Sequence, residues 1–406
     1  MMRIFYGWRI VAVCLIAAVV GNALGLFGAS VYLHSIVETR GWPTGFVSSA
    51  VTSFHLISAL LVMFVGSTIA RVGPRPVVVT GALAMAIGVA TVGRIDQPWQ
   101  VYLAFLIMGV GWACLSQTAM ATTLAPWFER YQGRAVSVAS LGASVGGMIG
   151  APLLLFGIAR AGFASTTTFA AAIAFVFLVP LAWLVLKRRP QDIGLLPDGA
   201  AAVSDGAVGT APKWTRSAAL RTSALRTVIV TFGMATMVQV GFVTHQVTFL
   251  AATLSTSAIS LTVAATAIMA LISRLLLVRF ADQIDQRKTA AVVLMTAAIA
   301  FAIMALFRSP SVLVAACILF GFTIGNVTTL SPIIVRREFG AGSFGAIFGA
   351  ASVLIQLATA MGPSFYGVLR DLSGGYRTPL LLAAALDIVA CAVILTGSRP
   401  RRDTAT

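Results

Sequence analysis

The chain has 406 residues, of which 59% are hydrophobic and only 10% charged, where a soluble domain carries about 25% charged. Its 12 carboxylates cannot cover a water-soluble body of this size, and a mean hydropathy of +0.96 agrees that lipid is the solvent. The 28 Lys and Arg leave a net charge of +16, which in a soluble protein would suggest a nucleic-acid partner; here the basic residues become a test of sidedness across a membrane.

A hydrocarbon core of about 30 Å needs roughly 20 apolar residues of helix. Twelve such stretches run near 9–33, 46–70, 76–93, 100–124, 135–157, 164–186, 225–251, 257–278, 289–307, 311–334, 343–368 and 378–398. Each is long for a strand and lacks alternation, so helices are predicted. The first has no clear small-residue cleavage site and reads as a span, not a signal peptide. With an even number of spans both termini share a side. Put inside, that side holds 21 basic residues, from Arg3 and Arg9 to Arg401 and Arg402, and the outer side holds six: Arg40, Arg94, Arg160, Arg308, Arg370 and Arg377. The positive-inside rule therefore predicts cytoplasmic termini. The cations sit in scattered short loops, which excludes a continuous basic face for nucleic acid.

Between spans six and seven, residues 191–222 form an Ala/Gly/Ser/Asp-rich stretch that reads as a partly disordered cytoplasmic linker. It separates an N-terminal six-helix bundle, 1–190, from a C-terminal one, 223–406. At an offset of 212 residues Arg75 aligns with Arg287, Gly109 with Gly321, Trp127 with Phe339, Gly133 with Gly345 and Gly150 with Gly362. One match means nothing; several at one offset matching the six-span break indicate duplication. The predicted fold is an all-α membrane protein, twelve transmembrane helices in two pseudo-symmetric six-helix bundles around a central cavity, which suits alternating access by rocking.

These features resemble the major facilitator superfamily over nearly the whole chain. That family's loop after span two reads roughly G-x-x-x-D-R-x-G-R-R; here it is Gly66-Ser67-Thr68-Ile69-Ala70-Arg71-Val72-Gly73-Pro74-Arg75, with Ala70 in place of the Asp. The copy after span eight keeps Asp282, Arg287 and Lys288 but has Val278 in place of the Gly. The resemblance implies a conformational latch at Arg71, Arg75, Asp282 and Arg287, with the second copy more intact. A narrower resemblance is to the monocarboxylate porter and oxalate:formate antiporter group. It rests on Trp127-Phe128-Glu129-Arg130-Tyr131-Gln132-Gly133-Arg134-Ala135 followed by Gly142, Gly146 and Gly150, on Tyr6-Gly7-Trp8-Arg9, on Gly41-Trp42-Pro43 and on His245.

Arg274 is the sharpest single signal. It lies eight residues before Asp282, about 12 Å of helix, near the membrane midplane. A guanidinium there costs at least about 2.5–3.5 kcal/mol to insert, so it must face a cavity or a partner, and its planar fork matches a carboxylate. The group resemblance implies that an arginine here binds the substrate carboxylate; the structural alternative is a pair with Asp387. Arg279 can snorkel to the edge. Asp387 is a candidate for proton coupling or a hydrogen-bonded scaffold residue, the latter slightly favoured. His55 and His245 are the other proton-coupling candidates, each read more readily as an interhelical contact. The acid that eukaryotic relatives carry one turn before the span-eight arginine is Ala270 here. Asn22, Gln117, Asn326 and Gln356 fall on spans that line the cavity in the superfamily, and Trp112 is placed to pack on an apolar substrate body; helix–helix hydrogen bonding explains the polar four equally well. The predicted stretch 343–368 holds no Lys or Arg, which favours a monoanion over a dicarboxylate. Gly142, Gly146 and Gly150 repeat every four residues and serve either moving contacts between halves or static packing. The four cysteines read as small hydrophobes.

No P-loop, zinc spacing, nucleophile elbow or dinucleotide fingerprint occurs. The sequence thus reads as a non-enzymatic secondary transporter without cofactor or metal. It is expected as a monomer in a bacterial inner membrane, carrying a small monocarboxylate held by Arg274, Asn22, Trp112, Gln117, His245, Asn326 and Gln356, with proton symport. The rival readings are an efflux pump for amphipathic compounds, an organic-anion antiporter and a non-transporting membrane sensor.

Overall fold

The computed structural model describes residues 5–199, 214–280 and 283–397. All twelve apolar stretches are helices, since a segment without water must satisfy its own N–H and C=O groups. They are numbered here as spans 1 to 12: Gly7–Arg40, Thr44–Val72, Pro74–Val92, Pro98–Leu124, Gln132–Ala161, Phe163–Val185, Ser223–Ala251, Thr256–Phe280, Gln286–Leu306, Pro310–Phe339, Gly342–Ser373 and Arg377–Thr396. Side chains such as Phe64, Phe169, Leu184 and Leu372 stay exposed, as a chain solvated by lipid tolerates. This is an integral, multi-pass membrane protein.

Three spans are broken where the sequence supplies the break. Span 1 bends at Gly25, which leaves helical geometry at φ −86°, ψ −84°. Span 4 restarts at Gln117, where the Ser116 hydroxyl caps the Ala119 N–H. Span 11 restarts at Gly362-Pro363 after Met361, because a proline lacks the N–H that would continue the ladder. Spans 2 and 3 are joined by Gly73 alone, at φ +89°, with Pro74 already in the next helix.

The chain forms two compact units: one of residues 1–206, 243–248 and 256–264, the other of 207–242, 249–255 and 265–406. In the first unit the glycine stripe of span 5 lies on span 1. A methyl group on Gly142 would come 2.8 Å from Ala18 Cβ, on Gly146 2.6 Å from the Val19 carbonyl, and on Gly150 2.7 Å from Ala23 Cβ. The stripe therefore serves static packing inside this unit. In the second unit the cores of spans 7, 9, 10, 11 and 12 share one cluster around Leu225, Phe232, Leu294, Leu330, Ile347 and Ile394.

The repeat is also structural. Gly109 brings span 4 against span 2 at Phe54, 2.7 Å from its carbonyl for an added methyl, and Gly321 brings span 10 against span 8 at Thr266, 2.9 Å from its Cα. Phe54 and Thr266 are themselves 212 residues apart. In each half an aromatic ahead of the first helix packs on the aromatic ending the fourth: Tyr6 on Trp127 at 5.6 Å, and Trp214 on Phe339 at 5.5 Å between ring centroids.

The predicted linker carries structure at both ends. Pro190–Ile193 and Pro197–Gly199 are 3₁₀ turns, and Arg216–Arg221 is a short helix capped by Thr215. The composition reading passed over the turn chemistry of Pro190, Gly194 and Pro197-Asp198-Gly199. The disordered middle expected there falls on residues 200–213, outside the described residues.

Candidate functional site

In the second unit Arg274 is positioned by a close helix contact. Gly325 lets span 10 approach span 8 until an added methyl would meet the Ala270 carbonyl and Ser273 Oγ. One turn past Gly325, the Thr328 hydroxyl then comes within 3.2 Å of an Arg274 terminal nitrogen. That hydroxyl lies 3.2 Å from both the Ile324 and the Gly325 carbonyls and donates its proton there, so it accepts from the guanidinium. Thr328 is neutral, and Arg274 Nε is buried with no acceptor among the described residues. The alternative partner is not used: Arg274 and Asp387 form no ion pair. Thr328 was not among the sequence candidates; its spacing from Gly325 was the available signal.

Asn326 is 4% exposed and donates to the Phe322 carbonyl of its own helix at 3.0 Å. Gln356 is half-buried on the first segment of span 11. Asp387 is 2% exposed inside the unit, in the buried face of span 12. That suits the scaffold role. Gln239, on span 7, is a buried polar residue whose Oε1 has no partner among the described residues.

In the first unit Asn22 donates to the Ala18 carbonyl at 2.9 Å. Trp112 lies against the bend at Gly25, where any Cβ would come 2.6 Å from the indole, and 5.8 Å from the Phe54 ring. Gln117 is exposed and donates to Ser140 Oγ of span 5 at 2.7 Å. His245 is fully buried and its Nε2 is 3.1 Å from Ser48 Oγ. The Ser48 hydroxyl donates to the Thr44 carbonyl at 2.6 Å, so this geometry assigns the proton of the shared contact to His245 Nε2. His245 is thus engaged as an interhelical contact. His55 packs edge-on to Phe54, and its Nε2 is buried without a partner among the described residues. A small apolar pocket of about 10 Å³ lined by Val13, Cys14, Cys114 and Met120 has room for one water molecule, not a substrate.

The latch residues divide in the same way. Arg287 makes a bidentate pair with Glu338, Nε to Oε1 at 2.6 Å and a terminal nitrogen to Oε2 at 2.9 Å, and reaches Thr227 Oγ1 and the carbonyls of Ile394 and Ala224, each at 3.0 Å. Both side chains are nearly buried, 12% and 8% exposed. Asp282 lies outside the described residues. Among the described residues Arg75 reaches only the Leu186 carbonyl at 3.3 Å and the face of Trp183 at 5.3 Å, while Arg188 donates to the Ala70 carbonyl. Arg71 is exposed and unpaired among the described residues. Glu338 was not among the residues singled out from the sequence. No cluster of three or more His, Cys, Asp or Glu suited to a metal occurs among the described residues.

A profile described as Major Facilitator Superfamily matches residues 13–363. Curated relatives include the multidrug resistance protein MdtH of Proteus mirabilis (strain HI4320), 30% identical over 166 residues that cover 39% of this chain and 41% of that protein. The MdtH of Yersinia enterocolitica is 30% identical over 167 residues, with the same coverage of 39% and 41%. The chain spans about two fifths of the length of these relatives. Among solved structures, a bacterial homologue of the human lysosomal transporter Spinster, inward-facing and unoccupied, superposes with a TM-score of 0.75 over 97% of this chain and 96% of that one at 13% identity. The nucleoside transporter NupG superposes with a TM-score of 0.74 over 96% and 99% at 12% identity. Likeness at that identity establishes the fold.

Proposed function

The chain belongs to the Major Facilitator Superfamily, and from that premise we propose that it is a secondary transporter of a small organic monocarboxylate whose carboxylate docks on Arg274. One observation carries the reading. A guanidinium held in the middle of an apolar helix has a single neutral partner, Thr328, and a buried Nε–H without an acceptor among the described residues. A planar bidentate anion supplies both the acceptors and the countercharge. Asn22, Trp112, Gln117, Asn326 and Gln356 are the further substrate contacts of this proposal. Coupling is to a proton, with His55 the free candidate because Ser48 engages His245 and burial holds Asp387 in the core. The 21-to-6 split of basic residues supports cytoplasmic termini in a bacterial inner membrane, and we take the working unit as a monomer.

A second reading, extrusion of amphipathic compounds, is favoured by the relatives' name of multidrug resistance protein. A lipophilic cation would need an accessible acid at depth, and Asp387 is 2% exposed. The test is uptake by proteoliposomes under an inward proton gradient, with pyruvate, lactate, mandelate and benzoate, against tetraphenylphosphonium as the cation. Carboxylate uptake that Arg274→Ala abolishes and Arg274→Lys largely loses supports the reading. Uptake indifferent to both variants, or uptake of the cation alone, refutes it.

A further inference from the structure

The start of the linker is fastened to the loop before span 5 by one side chain. Asp198 Oδ2 accepts from the backbone N–H groups of Glu129 at 3.0 Å and Arg130 at 2.7 Å, and Oδ1 accepts from that of Tyr131 at 3.4 Å. In return the Asp198 N–H donates to the Trp127 carbonyl at 3.0 Å. Span 5 begins at Gln132, and Tyr131 before it offers no capping side chain. These three N–H groups lie in the loop just ahead of the helix, and the acceptor that serves them comes from 67 to 69 residues further on.

The backbone is bent to make this possible. Asp198 sits at φ 56°, ψ 6°, the one non-glycine residue at positive φ among those described. That left-handed conformation is tolerated best by Asp and Asn. Upstream, the turn at Pro190–Ile193 is closed by Gly194 at φ +70° and by the Leu195 N–H on the Pro190 carbonyl at 3.0 Å. Pro190 itself is buried. The segment 190–199 is therefore folded onto its own unit. It clasps the loop that leads into a helix whose glycine stripe lies on span 1 and whose Ser140 holds Gln117.

We propose that Pro197-Asp198-Gly199 is a releasable clasp, a conformational device that docks the linker on the start of span 5 and opens and closes as one unit with the Glu129–Tyr131 loop. Release or docking of the 190–199 segment is then felt at the start of span 5. The device does not depend on which substrate is carried.

Hydrogen exchange of the full chain in lipid nanodiscs tests it without a ligand. Asp198→Gly removes both the acceptor and the backbone strain; Asp198→Ala removes the acceptor and keeps the strain; Asp198→Asn keeps the φ and one acceptor. In the Gly and Ala variants the amides of Glu129, Arg130 and Tyr131 should exchange roughly 5- to 30-fold faster, the range set by losing hydrogen bonds to a carboxylate. The amides of Leu195 and Asp198 should accelerate with them, while the middle of span 5 stays protected. Asp198→Asn should fall between these and the wild type, and it covers the case in which the others fail to fold. Unchanged exchange at 129–131 in Asp198→Gly overturns the proposal. So does acceleration there with the linker amides still protected, since the two sides would then not open together.

Discussion

Removing Arg287 should cost the second unit far more than removing a surface ion pair would. Its side chain is 12% exposed and that of Glu338 8%, and exposed pairs contribute only about 0.2–1 kcal/mol. Arg287→Ala leaves the Glu338 carboxylate buried without its countercharge, a change worth about 3–5 kcal/mol. Glu338→Gln keeps one oxygen for the guanidinium, which retains Thr227, Ala224 and Ile394 as acceptors; the loss of one charged hydrogen bond is about 1.5–3 kcal/mol. The pair Arg287→Met with Glu338→Leu removes both charges and refills the volume, and such swaps are often neutral or better. Thermal unfolding at one fixed scan rate reads the difference, at roughly 2–4 °C per kcal/mol for a body of this size. The expected order of midpoints is wild type close to the double variant, then Glu338→Gln, then Arg287→Ala lower by roughly 6–20 °C. A double variant as unstable as Arg287→Ala would refute the reasoning, because packing and not charge would then hold the helix ends. An Arg287→Ala midpoint within a degree or so of wild type would refute it equally.

Gly109→Ala and Gly321→Ala should each lose about 1–3 kcal/mol by overpacking, with similar drops in folded yield, because both meet backbone atoms at positions 212 apart; a large loss at one and none at the other would deny the repeat its packing meaning. Trp127 is fully buried, so Trp127→Ala should cost about 3–5 kcal/mol in the same thermal assay. Trp127→Phe should cost clearly less, since Phe339 fills the matching place in the second half. A Phe variant as unstable as the Ala variant would contradict that equivalence.

The spans were legible because lipid imposes two rules on a sequence, length and internal hydrogen bonding, and both leave long apolar runs. Their internal breaks were not, since Gly25 and Ser116 sit inside runs whose hydropathy does not change. Arg274 stood out because a charge at depth must be explained, whereas Thr328 did not, because one threonine among many gives no signal until Gly325 brings two helices together. Glu338 was hidden by its neighbours Arg336 and Arg337, which a topology count treats only as labels. Asp198 was hidden by composition, which describes a stretch such as 191–222 by its average and misses the Pro-Asp-Gly turn that gives it shape.

Those two hidden acids bear on how the halves differ. At the repeat offset Glu338 corresponds to Pro126, so Arg75 lacks at that place the carboxylate that its counterpart Arg287 pairs with. Its remaining contacts, the Leu186 carbonyl and the Trp183 face, are neutral and weaker than a bidentate pair. The loop that follows Pro126 is the one Asp198 clasps. In the second half the acid at this helix end comes from span 10 itself and binds a side chain; in the first it comes from the linker and binds backbone. A side-chain pair between two helices of one bundle can be broken only by deforming that bundle. A backbone clasp supplied by a connecting segment can be released with the bundle intact, which places the adjustable fastening in the half whose Arg75 has no matching carboxylate at Pro126.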